Sequence, residues 1–191
     1  MAEGDFVDDR RRASEEDYFR KQDRELIEKM RRAAEANRAQ SEMSAKTGLN
    51  DPALIAELGA LGFTPETISV LPLVPLIQMA WAEGGVTPEE RTLLVTLARG
   101  RGIAEGSAAD RQLADWLAHR PSPNVFASAT RLIRAMIDTG VAEGGTMSAD
   151  DLIKYAESMA AVSGGFLGFR KISSEERETL AKLAAALKAR P

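Results

Sequence analysis

The chain has no cysteine, which excludes disulfides, thiolate metal sites and cysteine nucleophiles. It has one histidine, His119, too little for a histidine-based zinc site or a Ser–His–Asp triad. It has no surplus of positive charge: 25 Lys and Arg stand against 29 Asp and Glu, a net charge of −4. Nucleic-acid binding needs clustered excess cations that release counterions, and adsorption to anionic membranes needs the same excess, so both are disfavoured. No apolar run reaches membrane-spanning length. The longest candidate, Ile68 to Ala82, is short and carries Pro72 and Pro75, so no membrane insertion is expected. The opening MAEGDFVDDRRR has no apolar h-region, so a secretory signal is not expected either. These absences together predict a soluble, cytoplasmic protein.

Aromatics are also scarce, at 5% of residues, while hydrophobic residues as a whole reach 44%. Alanine and leucine therefore supply most of the apolar mass, and both sit comfortably in helices, whereas strands favour β-branched and aromatic residues. The expected fold class is all-α: a charged N-terminal helical arm, then a compact helical bundle with an internal helical-hairpin repeat. The division read from composition is an arm over 1–46, a linker and short helix over 47–60, and a helical domain over 61–191.

The arm is where charge concentrates. Residues 1–46 hold 12 acidic and 11 basic residues, nearly half the charge of the chain. Ser14 followed by Glu15, Glu16 and Asp17 reads as an N-cap with acids in the first turn, where the helix dipole favours them. Glu25–Lys29 and Glu28–Arg32 lie at i,i+4 in the stabilising order. A helix from about Ser14 to Arg38 follows. Its apolar stripe is narrow: Phe19, Leu26 and Ala33 at heptad spacing, Met30 beside them, Tyr18 and Ile27 on the flanks. Such a helix projects into solvent, docks lightly on the body, or awaits a partner. From Ala36 to Asn50 the composition turns to small and polar residues, which predicts a fraying end and a linker.

In the body, Asp51 caps a short helix ending near Leu61. Thr64-Pro65-Glu66 predicts another start, with a capping hydroxyl before a proline at the first helical position. Leu71 to Trp81 is almost entirely apolar and reads as a central buried helix. Thr87-Pro88-Glu89-Glu90 has capping-box spacing. Further helices are expected at about 108–119, 124–141, 148–162 and 174–189, and no segment reads as a strand.

One pattern occurs twice. Trp81-Ala82-Glu83-Gly84-Gly85-Val86-Thr87-Pro88-Glu89-Glu90 parallels Val141-Ala142-Glu143-Gly144-Gly145-Thr146-Met147-Ser148-Ala149-Asp150-Asp151. Each is a helix end, Ala-Glu, a double glycine, a cap and an acidic helix start. Lys171 to Arg177 is a partial third echo. Glycine suits the left-handed end of one helix and the hydroxyl opens the next, so two related helical hairpins are expected.

These turns, with Gly164-Gly165-Phe166-Leu167-Gly168-Phe169-Arg170-Lys171-Ile172-Ser173 before the last helix, resemble the tellurite-resistance TerB-like family over about residues 60–189. The resemblance implies seven or eight helices, a link to stress responses, and metal binding at acidic turn residues, here Glu83, Glu90, Glu143 and Asp151. Glu83 and Glu143 stand where the family has the aspartate of a DG-type turn. Oxygen ligands of this kind suit calcium or magnesium. Helix starts alone also account for the spacing of Glu89, Glu90, Asp150, Asp151, Glu175 and Glu176, whose carboxylates complement amide dipoles.

The arm has a different likeness. Glu15-Glu16-Asp17-Tyr18-Phe19-Arg20, preceded by Phe6, resembles the EE-x-YF-R segment of the mitochondrial-type ATPase inhibitor family over about residues 5–35. The resemblance implies a helix inserted into the catalytic subunits of the rotary ATP synthase, blocking ATP hydrolysis, with Phe6, Glu16, Tyr18 and Phe19 as contacts. The histidine-rich C-terminal coiled coil of that family is replaced here by the helical domain. No base, nucleophile and oxyanion donors converge in the sequence, so an enzyme is not expected. Two readings stand: a regulatory binding protein acting through the arm, and a stress-linked module holding a divalent cation.

Overall fold

The computed structural model describes residues 3–138, 148–163 and 174–188, with side chains placed over 18–138, 148, 150–158, 174–175 and 177–188. All regular structure among them is helical. The chain divides into two compact units, Met1–Ser41 and Glu42–Pro191.

Unit one is helix alone. Helix α1 runs Glu3–Thr47, longer at both ends than the Ser14–Arg38 expected, and its last turn belongs to unit two. The Glu28–Arg32 pair forms at 3.3 Å with both side chains well exposed, so it adds only about 0.3–0.5 kcal/mol.

The stretch expected to fray into a linker is helical to Thr47, for a tertiary reason. Met43 is 4% exposed and Thr47 fully buried. The Thr47 hydroxyl donates to the Met43 carbonyl at 2.8 Å and accepts from the Leu49 amide at 3.2 Å. The alanines of this stretch favour helix, and burial of Met43 and Leu49 in the core outweighs the weaker helix preference of its Ser, Asn and Thr.

In unit two, helix α2 spans Pro52–Ala60, with the Asp51 carboxylate accepting from the Ala53 amide at 2.8 Å as the cap. It ends in a Schellman-type turn: Gly62 takes φ +87°, and the Phe63 amide reaches back to the Leu58 carbonyl at 3.0 Å. The two residues this brings together, Leu58 and Phe63, are both buried, as the motif favours.

Thr64-Pro65-Glu66 does not open an α-helix. Thr67 and Ile68 amides both turn back to the Thr64 carbonyl, and a 3-10 helix follows over Ile68–Leu73. Pro72 and Pro75 explain the break, because each lacks the amide that an α-helical ladder needs. Pro75 is tolerated at the start of α3, Val74–Ala80, where the amide would be unpaired anyway.

Helix α3 is the central helix expected. Six of its seven residues are buried, Gln78 excepted. It touches α4 (Pro88–Gly100), α6 (Pro123–Asp138), α7 (Ala149–Ser163) and α8 (Ser174–Lys188). Helix α5, Ala108–Ala118, packs instead on the 3-10 segment. A polar link closes this side: Trp81 Nε1 donates to the Trp116 carbonyl at 2.9 Å, and Trp116 meets Phe63 edge to face, with centroids 5.5 Å apart.

Candidate functional site

Two sets of residues drew attention in the sequence, the acidic turns and the aromatic start of the arm.

At the first turn, Gly84 takes φ +91°, the left-handed conformation that glycine adopts without strain. Thr87 then opens α4 with a complete capping box. Its side chain accepts from the Glu90 amide at 3.3 Å, while Glu90 Oε2 accepts from the Thr87 amide at 2.8 Å and the Thr87 hydroxyl at 2.9 Å. Glu90 is 2% exposed. Its carboxylate is thus engaged by the helix start, whereas Glu83 lies exposed before it.

The second turn repeats the arrangement where it can be seen. Asp151 Oδ2 accepts from the Ser148 hydroxyl at 2.8 Å and the Ser148 amide at 3.3 Å, and the Asp151 amide donates back to Ser148 Oγ at 3.1 Å. The Ser148 hydroxyl and amide hold the Asp151 carboxyl below the ordinary aspartate range. Glu143 and its double glycine lie outside the described residues, as does the Gly164–Gly168 stretch. Among the described residues, no three of His, Asp and Glu come together in a way that could hold a metal ion.

A third cap of this kind went unread in the sequence. Ser107 accepts from the Asp110 amide at 3.1 Å, and Asp110 Oδ2 accepts from the Gly106 amide at 2.8 Å. Asp110 Oδ1 also takes Arg99 at 2.8 Å, tying α5 to α4. The Gly106 amide first, and the Arg99 guanidinium second, hold its carboxyl below the usual value. The signal was Ser107 three residues before Asp110, the Thr87–Glu90 spacing with a shorter acid.

His119 sits at the end of α5 with Nδ1 2.9 Å from Asp115 Oδ1, both exposed. It is a polar helix end, as its place before Pro121 suggested.

On the arm, five large apolar side chains stand exposed: Tyr18, Phe19, Leu26, Ile27 and Met30, each between 56% and 64%. At 100° per residue, Phe19, Leu26 and Met30 fall within one narrow sector, with Tyr18 and Ile27 on either side. Tyr18 and Phe19 meet edge to face, with centroids 6.0 Å apart. Unit one is a single helix and so has no second element with which to cover this stripe. Phe6 and Glu16 lie on the same helix, but their side chains are outside the described residues. Of the other described large hydrophobics, only Tyr155 is exposed, and less so, at 38%.

A feature that sequence reasoning missed is a groove between α6 and α8, whose lining joins two helices far apart in the chain. No local pattern announces it.

Comparison of the chain with protein-family models, with curated proteins and with solved structures finds no match. No described helix is long and apolar enough to cross a membrane.

Proposed function

We propose that this is a non-enzymatic regulatory protein that engages a partner complex through its N-terminal helix. The partner that the EE-x-YF-R resemblance names is the catalytic head of the rotary ATP synthase, whose hydrolysis of ATP the arm would block. The observation that carries the reading is the exposed stripe Tyr18, Phe19, Leu26, Ile27 and Met30. Fully burying side chains of this kind is worth about 1.5–3 kcal/mol each. An amphipathic helix with anchors at such spacing is suited to lying in an apolar groove of another protein. The charges flanking the stripe would then set register and partner choice more than affinity.

The second reading, a divalent-cation module, would need carboxylates free to coordinate. Glu90 and Asp151 each already give one carboxylate oxygen to the cap at their helix starts, so a cation would compete with the caps or share the carboxylates with them.

Surface-immobilised full-length protein and its Tyr18→Ala/Phe19→Ala variant, each exposed to purified ATP synthase catalytic head, test the proposal. Retention by the parent with at least tenfold less by the variant is expected, because aromatic anchors at interfaces commonly cost about 2 kcal/mol or more when truncated. Equal retention by both would remove the arm from the account.

A further inference from the structure

The groove between α6 and α8 is built from two matching helix faces. Phe126, Ala127, Thr130, Arg131 and Arg134 are related by three- and four-residue spacings along α6, the spacing of a single helix face. On α8, Thr179, Lys182, Leu183 and Ala186 are related in the same way, with Gln78 of α3, Arg120 and Pro123 completing the lining. Its volume is about 570 Å³, within the range of small-molecule sites.

Its charge is opposite to that of the chain. Four of the lining side chains are cationic and none is acidic, in a protein of net charge −4. The four cations are not equally committed. Arg134 is 17% exposed, holds both oxygens of Asp138 at 3.0 and 3.1 Å and donates to the Leu187 carbonyl at 2.8 Å. It closes the groove where α8 ends. Arg131 pairs with Glu57 of α2, whose carboxyl the Arg131 hydrogen bond holds below its usual value. Lys182 meets Glu178, one turn away, with both side chains 67% or more exposed, a pair that solvent screens heavily. Arg120 lies exposed just before α6. The apolar lining is Ala127 and Ala186, both exposed, over Phe126 and Leu183, each 4% exposed.

We infer that the groove binds a free single-chain amphiphile with an anionic head. The head, a carboxylate or phosphate, meets Arg120, exposed before α6, and Lys182, whose pair with Glu178 solvent screens. The tail lies along Ala127 and Ala186, over the edges of the buried Phe126 and Leu183. Charge complementarity selects the head. The inference does not rest on the arm.

Titration calorimetry of the full chain with decanoate, decyl phosphate, decanol and acetate, kept below micelle-forming concentrations, tests it. Decanoate and decyl phosphate are expected to bind one per chain, and decanol and acetate at least about tenfold more weakly, since each lacks one of the two recognised parts. Arg120→Ala/Lys182→Ala is expected to weaken decanoate about tenfold. Ala186→Glu, at an exposed position that leaves the core intact, is expected to abolish binding by placing an acid in the groove. Phe19→Ser is expected to leave it unchanged. The inference is overturned if no ligand binds or if decanol matches decanoate. It is equally overturned if Ala186→Glu binds like the parent, or if Phe19→Ser removes binding and so places the amphiphile on the arm.

Discussion

The indole of Trp81 donates to the backbone carbonyl of Trp116 at 2.9 Å, joining the end of the central helix to α5. Replacing Trp81 by phenylalanine keeps most of the apolar contact and deletes the donor. The half-buried carbonyl then loses its partner, at a cost of about 1 kcal/mol. Urea unfolding of Trp81→Phe should show the midpoint falling with an unchanged slope, since the surface exposed on unfolding hardly changes.

The reciprocal bonds of Thr87 and Glu90 lead to a second expectation. Thr87→Ala removes the hydroxyl that caps α4 and should destabilise the domain by about 1 kcal/mol. Thr87→Ser keeps the oxygen and should restore nearly all of it, as thermal unfolding of the two variants would show. Because the cap engages the Glu90 carboxylate, calorimetry with calcium, magnesium or manganese should register no binding that Glu90→Gln removes.

Asp110 makes stability depend on pH. Its carboxyl is held below the ordinary value by the Gly106 amide and by Arg99. A depressed folded value means the carboxylate form is the one the fold prefers. Its contribution is therefore complete above the unfolded value of about 3.9 and is lost as pH falls through the lower folded value. Asp110→Asn should be less stable than the parent at neutral pH, and the gap should close in acid unfolding curves below about pH 4.

Where the arm is cut should matter. A chain starting at Glu42 keeps Met43, Thr47 and Leu49, all buried, and should unfold at the temperature of the full protein. A chain starting at Gly48 loses Met43 and Thr47. Vacating a buried methionine site alone costs about 2–5 kcal/mol, so its unfolding temperature should drop by several degrees or more. Differential scanning calorimetry of the two separates these outcomes, and only the first truncation is a clean test of the arm.

The all-helical class was legible because it rests on composition, and helix ends were legible where the chemistry is local. Asp51, Thr87 and Ser148 announce their caps within three residues. Expected helices at 108–119, 148–162 and 174–189 meet observed ones at Ala108–Ala118, Ala149–Ser163 and Ser174–Lys188. What was not legible depends on distant partners. The last turn of α1 is held by burial of Met43 in a core assembled from residues far along the chain. The turn at Thr64 and the 3-10 segment after it reflect two prolines whose joint effect on the backbone depends on what packs around them. The groove joins Arg131 to Lys182 across two helix faces that the sequence keeps apart. On the arm, the apolar stripe could be read from spacing, and its exposure in unit one follows from there being a single helix.

The most direct test of the arm as a recognition element is the rate of ATP hydrolysis by isolated ATP synthase catalytic head, titrated with full-length protein and with Tyr18→Ala/Phe19→Ala. The account predicts inhibition by the full-length protein and roughly tenfold or greater loss of potency in the variant, as for removal of interface anchors. Hydrolysis unchanged at large excess of the full-length protein, or inhibition equally strong with the variant, would contradict it.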